Sequence, residues 1–581
     1  MRPTPAQRLR EYARSLLLPS DPADHPQGWP WANDIPLAPA NAHRLALFLL
    51  GLPVASYWIH IFLFAANAPV LDDYEVLLGS TNRFLGSAGL LGKLAVLWAQ
   101  HNEHRLVVPR LVALVQYFLF GHVNLRHLSF LGNLAWTASF VLIVRGHRKK
   151  ARLPLLFYVP LSFAWFSLVH RENTFWAIGS LQNYGAMFFC IVALWYLQAG
   201  KILATCLSCA AGVLTSMLCW PLFVLCIGFA LARQGWKQAG YLAGTAVFLA
   251  IFYFHGYAPA AGHPIVSMAV LDFEATLAFG LAVMGSALRF AGYSITLGLF
   301  CLAAILYLLF LRKTSAWSVA VALLSLLQAA AIAVGRGGYG GEHYEGAIVA
   351  SRFTIVSVVA ASAIYLLAMD STQALRRAVR SLLFAGMLAM TYWLAMTAKA
   401  DIFADLSREY CERSNSMVSY LHGVRLPLVC NDSAEMCEPI LVRSQELGVF
   451  DYSTAFGSRR KPALHLGPVR SSLKMTSQIE FYDGARIQGW ALIPGHRSTQ
   501  CEIHLVLAQS PEHSYWIPTL KTHRPEASVS QHVQFDYDMA GFEAFPELFD
   551  IPLNDYRVGI AITTGDGLAL EWTDRSYRPA H

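Results

Sequence analysis

Long apolar runs alternate with short polar connections between residues 43 and 398. The first run, LALFLLGLPVASYWIHIFLFAA, begins at about residue 45 and is long enough to cross the roughly 30 Å hydrocarbon layer of a bilayer. Ten further apolar runs follow, so the pattern predicts about eleven transmembrane helices. These runs lie near 125–145, 153–170, 183–199, 202–216, 217–232, 239–255, 294–311, 316–334, 353–369 and 381–398.

Basic residues gather in alternate connections, notably RGHRKKAR at 145–152 and RRAVR at 376–380. Cytoplasmic loops carry an excess of lysine and arginine, so we expect these connections and the N-terminal segment 1–42 to be cytoplasmic. Two other apolar segments, 106–121 and 273–288, would break the alternation as full spans and are predicted to lie in the outer interface. The opposite, extracytoplasmic connections are about 67–123, 171–182, 256–293 and 335–352.

Composition supports this membrane assignment. Hydrophobic residues make up 55% of the chain and charged residues only 14%, against about 25% charged in an average soluble domain. The formal net charge is +7, but most basic clusters lie in short loops between apolar runs. A nucleic-acid partner is therefore not expected.

The chain changes character at about residue 399, where charged residues become common. Residues 399–465 read as a helical and irregular connector, and 466–581 show short alternating runs such as QIEFYDGARIQGWALI, typical of a β-sandwich. The predicted fold is a mainly α, polytopic bundle over 43–398 with an appended extracytoplasmic β-sandwich. On that side of the membrane, Cys430 and Cys437 are expected to form a disulfide.

Four polar motifs lie in the predicted outer connections: LDDYE at 71–75, HNEHR at 101–105, RENTFW at 171–176 and GRGGYGGEHYEGAIVASR at 335–352. A charge at the bilayer centre costs about 2.5 to 3.5 kcal/mol, so these motifs should face water or a polar cavity. Paired carboxylates suit a general base, and arginines bind phosphate oxygens bidentately. The candidate catalytic residues are Asp72, Asp73 and Glu103. The candidate substrate-binding residues are His101, His104, Arg105, Arg171, Glu172, Arg336, Glu342, His343 and Arg352.

Other interpretations of these motifs stay open at this point. HNEHR could be an interfacial turn in which Arg105 reaches the headgroups and Glu103 pairs with it. His101 and His104 could hold a divalent metal with Asp72 or Asp73, although an HxxH pair alone is a weak signal, and we assign no metal ligand or certain cofactor. The G-x-G-x-x-G match at 335–340 follows an apolar span rather than a strand, which argues against dinucleotide binding.

The acidic pair after the first span, the long loop to about residue 123 and a total near eleven spans resemble the GT-C superfamily of integral-membrane glycosyltransferases. The resemblance implies a bacterial inner-membrane enzyme with a periplasmic C-terminal domain. It implies a polyprenyl-phosphate-linked sugar donor and a glycan, lipid or protein acceptor. Asp72 or Asp73 would then deprotonate the acceptor, the anomeric carbon would invert, and Arg105, Arg336 and Arg352 would hold the phosphate.

Two other functional classes remain as alternatives, a lipid or glycan transporter and a non-catalytic membrane assembly protein. A transporter should place ionisable residues near the middle of its spans and interrupt its helices in repeated halves. This sequence keeps its charges at one predicted face, which favours the transferase.

Overall fold

The computed structural model describes the chain in separate stretches. They are 39–151, 153–259, 271–288, 293–311, 314–336, 351–371, 434–450, 463–467, 471–482, 486–510, 512–531 and 537–579, with isolated positions at 386, 406, 409, 410 and 413. The chain divides into two compact units. The first comprises Met1–Ala65 with Glu75–Lys399, and the second comprises Ala66–Tyr74 with Ala400–His581.

The regular secondary structure of the first unit, within its described residues, is helical. Its main helices are α1 (Pro39–Phe64), α2 (Ser80–Gly86), α3 (Gly89–Trp98), α4 (Val107–Phe120), α5 (Leu125–Ala151), α6 (Val159–Trp165), α7 (Arg171–Phe175), α8 (Ala177–Gln198), α9 (Ile202–Val213), α10 (Trp220–Arg233), α11 (Trp236–Phe254), α12 (Phe273–Gly285), α13 (Ser294–Phe310), α14 (Ala316–Arg336) and α15 (Thr354–Ser371). A π-helical turn, Asp73–Gly79, joins α1 to α2.

Five of the described helices are long and apolar enough to cross a membrane, which identifies a membrane protein. They are His43–Phe64, Leu125–Ala151, Ala177–Gln198, Ala316–Arg336 and Ser351–Ser371. The predicted number of about eleven is therefore not met in the described part of the chain. Six further apolar helices are only 10–17 residues long. At 1.5 Å per residue, even seventeen residues reach about 26 Å, short of the bilayer core.

The predicted span at 153–170 is the clearest departure from the sequence pattern. It is broken into a 3₁₀ turn at Leu155–Tyr158, the short helix α6 and a second 3₁₀ turn at Leu168–His170. Pro154 and Pro160 fit these breaks, because proline lacks the backbone N–H that a continuous helix needs. The predicted span at 381–398 lies outside the described residues apart from position 386.

Helices α14 and α15 pack against each other, and the bond between Ser315 just before α14 and Asp370 near the end of α15 shows that they are antiparallel. The backbone N–H of Ser315, just before α14, donates to Asp370 Oδ2 at 2.8 Å near the end of α15. His147, near the end of α5, lies at the same level, with Nε2 3.0 Å from Asp370 Oδ1. We call this the Asp370 end of the first unit. The opposite end of α14 and the start of α15 form the Arg336 end, about 30 Å away along the 21 residues of α14.

The second unit contains two antiparallel sheets. The strands are β1 (Ala463–Leu466), β2 (Thr476–Tyr482), β3 (Arg486–Leu492), β4 (Glu502–Ser510), β5 (His513–Pro518), β6 (Leu520–Thr522), β7 (Gly541–Ala544), β8 (Tyr556–Thr564) and β9 (Gly567–Tyr577). One sheet has the order β1-β5-β4-β8-β9 and the other β2-β3-β7-β6. Ile487 and Phe542 from the smaller sheet share a core with Leu505 and Ile560 from the larger one. The predicted mainly helical chain with a C-terminal sheet region is confirmed.

Two short helices, α16 (Ala434–Glu446) and α17 (Pro525–Ser530), complete the described part of the second unit. Cys437 in α16 is buried and disulfide-bonded. Its predicted partner, Cys430, lies outside the described residues, so that pairing stays a prediction. Cys501 is a buried free thiol.

Candidate acid–arginine site

The HNEHR motif forms a tight turn closed by its two histidines. The backbone N–H of His101 donates to His104 O at 2.8 Å, and that of His104 donates to His101 O at 2.9 Å. Asn102 at the tip has φ of 48°, in the left-handed region that asparagine tolerates. The two histidines have different partners, since His101 contacts Glu75 and His104 accepts from Met217 N.

His104 has a defined tautomer when it is neutral. The backbone N–H of Met217 donates to His104 Nδ1 at 3.1 Å, so Nδ1 supplies the lone pair and the ring proton sits on Nε2. His104 Nε2 lies 3.5 Å from Glu103 Oε1. The imidazole therefore directs its proton toward the glutamate.

Glu103 also holds Arg336, the last residue of α14. Arg336 Nη2 lies 2.7 Å from Glu103 Oε1, and the two side chains are 24% and 21% exposed. Partial burial strengthens this pair relative to a surface ion pair, while its remaining exposure leaves the guanidinium within reach of a ligand. The contact joins HNEHR to the first arginine of GRGGYGGEHYEGAIVASR at 335–352, which we call the glycine-rich motif.

RENTFW holds the second arginine of that motif through the backbone. The Glu172 carboxylate accepts from Ser351 N at 3.2 Å and from Arg352 N at 3.3 Å, and Glu172 N donates to Ser351 Oγ at 3.0 Å. Asn173 Nδ2 donates to Arg352 O at 2.8 Å. This reciprocal arrangement caps the start of the helix that continues into α15, where an anion is favoured by the helix dipole.

The Arg352 guanidinium is the most available cation of this set. It lies 5.3 Å from the centroid of the Phe353 ring and is half-buried. Within the described stretches it forms no ion pair with a carboxylate. Since α14 and α15 are antiparallel, Arg336 and Arg352 both lie at the Arg336 end, fixed by glutamates from two different connections.

A second carboxylate–imidazole contact links LDDYE with HNEHR. His101 Nδ1 lies 3.2 Å from Glu75 Oε2. Glu75 is 41% exposed, so it is accessible to solvent. Sequence reasoning quoted Glu75 without giving it a role, because its partner lies 26 residues away and no local spacing indicates the contact.

The two adjacent aspartates differ in environment. Asp73 is 1% exposed, and its Oδ2 accepts from Val70 N at 3.1 Å, which makes it a turn-forming residue. Asp72 is half-buried. Leu71, just before the pair, has φ of 50°, which is strained for a leucine. Among the described residues, Leu71 and Asn102 are the two non-glycine residues with positive φ, and they lie within the LDDYE and HNEHR motifs.

Arg105 has a structural role that the sequence did not predict. Its Nε, Nη1 and Nη2 donate to the carbonyls of Tyr253, Trp98 and His255 at 2.6, 2.6 and 2.7 Å. Its guanidinium also lies beside the Trp98 and Tyr253 rings, and burial lowers the pKa of Arg105. The structure therefore corrects both earlier interpretations of this residue. It neither pairs with Glu103 nor presents its donors to a phosphate.

We expect Arg105→Ala to destabilise the fold by about 2 to 4 kcal/mol, because three carbonyls lose charge-assisted hydrogen bonds. Any folded fraction should keep its activity. Unfolding in detergent, compared with the exposed Arg44→Ala as control, measures the effect. Normal stability combined with lost activity would return Arg105 to the ligand-binding residues.

Arg171, Glu342 and His343 are the remaining candidates. Arg171 begins α7 and is half-buried. Its neighbour Glu172 caps the start of the helix that continues into α15. Glu342 and His343 lie outside the described residues. Within the described stretches, no group of three or more histidine, cysteine, aspartate or glutamate residues could hold a metal ion.

A network of buried hydrogen bonds holds the RENTFW segment in place. Tyr57 OH donates to Asn133 Oδ1 and lies 3.3 Å from Thr174 Oγ1. Tyr184 OH lies 2.9 Å from Thr174 Oγ1, and His170 Nδ1 lies 2.5 Å from Tyr184 OH. Sequence reasoning missed this network because its members come from α1, α5, the turn at Leu168–His170, α7 and α8. It fixes the segment that carries Glu172.

No family model, no curated protein and no solved structure matches this chain.

Proposed function

We propose that the chain is an integral-membrane glycosyltransferase that moves a sugar from a polyprenyl-phosphate donor to an acceptor on the extracytoplasmic face. One observation carries the proposal. Glu103 pairs with the Arg336 guanidinium, and Glu172 accepts from the Arg352 backbone N–H, so glutamates from two separate connections hold the two ends of the glycine-rich motif. Two arginines at one end of a membrane bundle, the guanidinium of Arg336 and the backbone of Arg352 each held by a glutamate, suit the phosphate of a lipid-linked donor.

In this proposal Arg352 and Arg336 bind the donor phosphate. Glu103 and Glu172 are positioning residues, since they act through those arginines. The resemblance assigns the base to Asp72 or Asp73. Asp73 is buried and engaged in its turn, so we assign that role to Asp72.

The chemical step is a displacement at the anomeric carbon. Asp72 takes the proton of the acceptor hydroxyl, and the acceptor oxygen forms a new bond to the anomeric carbon. The bond from that carbon to the phosphate oxygen breaks, and its electron pair leaves with the polyprenyl phosphate. The arginines stabilise the charge on this leaving group, which is where prepositioned cations are most effective.

Donor binding tests this assignment of the arginines. Arg352→Ala should weaken binding of a polyprenyl-phosphate sugar by about 10- to 100-fold, the value of a charge-assisted contact. Arg44→Ala removes an exposed cation from the same unit and should leave binding unchanged. The measurement is equilibrium binding to protein in nanodiscs with a labelled donor. Equal affinity for wild type and Arg352→Ala would remove the donor from this site.

A further inference from the structure

A basic cleft lies at the Asp370 end of the first unit, opposite the proposed transferase site. It is lined by Arg145, Arg148, Lys149 and Trp195, and its volume is about 680 Å³. The three cations belong to the last turns of α5 at positions i, i+3 and i+4, so they share one face of that helix. Trp195 comes from α8 and is half-buried.

The opposite face of α5 is locked in place at this level. The Gly146 position packs against the Trp317 ring so closely that an added Cβ would lie 2.3 Å from it. His147 pairs with Asp370, and Trp317 Nε1 donates to Ile143 O at 3.0 Å. The helix therefore cannot rotate, and its three cations are held toward the cleft.

The cations are available to an anion. Lys149 Nζ lies 4.1 Å from the centroid of the Trp195 ring, and Arg148 Nε donates to Leu153 O at 3.3 Å. All three side chains are exposed, and within the described stretches none pairs with a carboxylate. Trp195 in turn contacts the Trp317 ring edge-on at 6.1 Å between centroids, which fixes the wall of the cleft.

The surroundings indicate a lipid rather than a free anion. Exposed apolar side chains continue along α5 away from the cleft, with Val141 at 42% and Leu134 at 55% exposure. Residues 134, 141 and 148 are seven apart and therefore lie near one face of the helix. A phosphate in the cleft would thus have an apolar helix surface directly beside it, where acyl chains can lie.

We propose that this cleft binds the phosphate headgroup of an anionic glycerophospholipid, with Arg145, Arg148 and Lys149 as its cations and Trp195 as its wall. Negatively charged leaflets attract basic segments at helix ends, and a cleft adds a defined position to that general attraction. The site is independent of the transferase proposal, since it lies at the other end of the bundle.

Native mass spectrometry of the full chain in detergent, with phosphatidylglycerol or phosphatidylcholine added, tests the site. The triple variant Arg145→Gln, Arg148→Gln, Lys149→Gln should bind phosphatidylglycerol at least about tenfold more weakly. The control removes three exposed lysines from the same predicted face through Lys150→Gln, Lys201→Gln and Lys237→Gln. Lys237 Nζ lies 5.9 Å from the centroid of the Trp236 ring, so the control, like the test variant, removes a lysine–tryptophan contact. It should weaken binding by less than about threefold.

Equal weakening by the two triple variants would overturn the proposal in favour of a diffuse surface charge. Two measurements on the wild type do not depend on how the variants fold. Phosphatidylcholine should bind more weakly than phosphatidylglycerol, and equal binding would contradict the site. Millimolar inorganic phosphate should not displace the bound lipid, and displacement would identify a free-phosphate site instead.

Discussion

Asp72→Asn is expected to slow sugar transfer by about 100- to 10,000-fold, the usual contribution of a positioned general base. The amide keeps the size of the side chain but cannot accept the proton of an acceptor hydroxyl. Stability should change little, because Asp72 is half-buried whereas its neighbour Asp73 holds the turn. The measurement is transfer to a hydroxyl acceptor by protein shown to be folded.

Glu274→Gln is the matched control for that experiment, since Glu274 is an exposed carboxylate of another predicted outer connection. It should leave transfer unchanged. Full transfer by Asp72→Asn would contradict the assignment of the base. Loss of transfer in Glu75→Gln would then move the role to the Glu75–His101 pair, whose atoms lie 3.2 Å apart.

Asp370→Ala is expected to cost about 3 to 5 kcal/mol of unfolding free energy. Asp370 and His147 are 5% and 0% exposed, so removing the carboxylate leaves a buried imidazole without its charged partner. The Ser315 N–H loses its acceptor as well. The hydrogen bond that joins α14 to α15 at the Asp370 end is therefore lost. Unfolding of purified protein in detergent measures the loss.

The double variant His147→Phe, Asp370→Leu is the informative control, because replacing both partners of a buried pair by apolar groups is often close to neutral. It should recover only part of the stability lost in Asp370→Ala, because the Ser315 N–H stays without its acceptor and the Tyr158 hydroxyl loses His147. A small effect of Asp370→Ala alone, below about 1 kcal/mol, would show that the buried pair does not hold this end of the bundle together.

The sequence pattern predicted the first span, the helical character of the first unit and the sheet region well. Apolar runs and alternating strands are local features, so a window of residues is enough to find them. The span at 153–170 failed because hydropathy counts apolar residues and ignores the two prolines that interrupt the helix. The predicted spans at 202–216, 217–232 and 294–311 failed for a related reason, since their helices are only 12–17 residues long and composition does not give helix length.

The candidate site was predictable only in part. The four polar motifs do supply its residues, and the contacts Glu103–Arg336 and Glu172–Arg352 join three of them. Arg105 was misassigned because two of the carbonyls that it binds belong to Tyr253 and His255, about 150 residues away. A sequence shows which side chains can donate hydrogen bonds, but it does not show which backbone carbonyls the fold brings to them.

Release of polyprenyl phosphate is the measurement that tests the central claim most directly. Wild-type protein in nanodiscs would be incubated with a panel of polyprenyl-phosphate sugars and a mixture of hydroxyl acceptors, with empty nanodiscs as the blank. The account predicts that at least one donor loses its sugar and yields free polyprenyl phosphate. Intact donors across the whole panel, with protein that is folded and binds them, would contradict a transferase and favour transport of the same lipids.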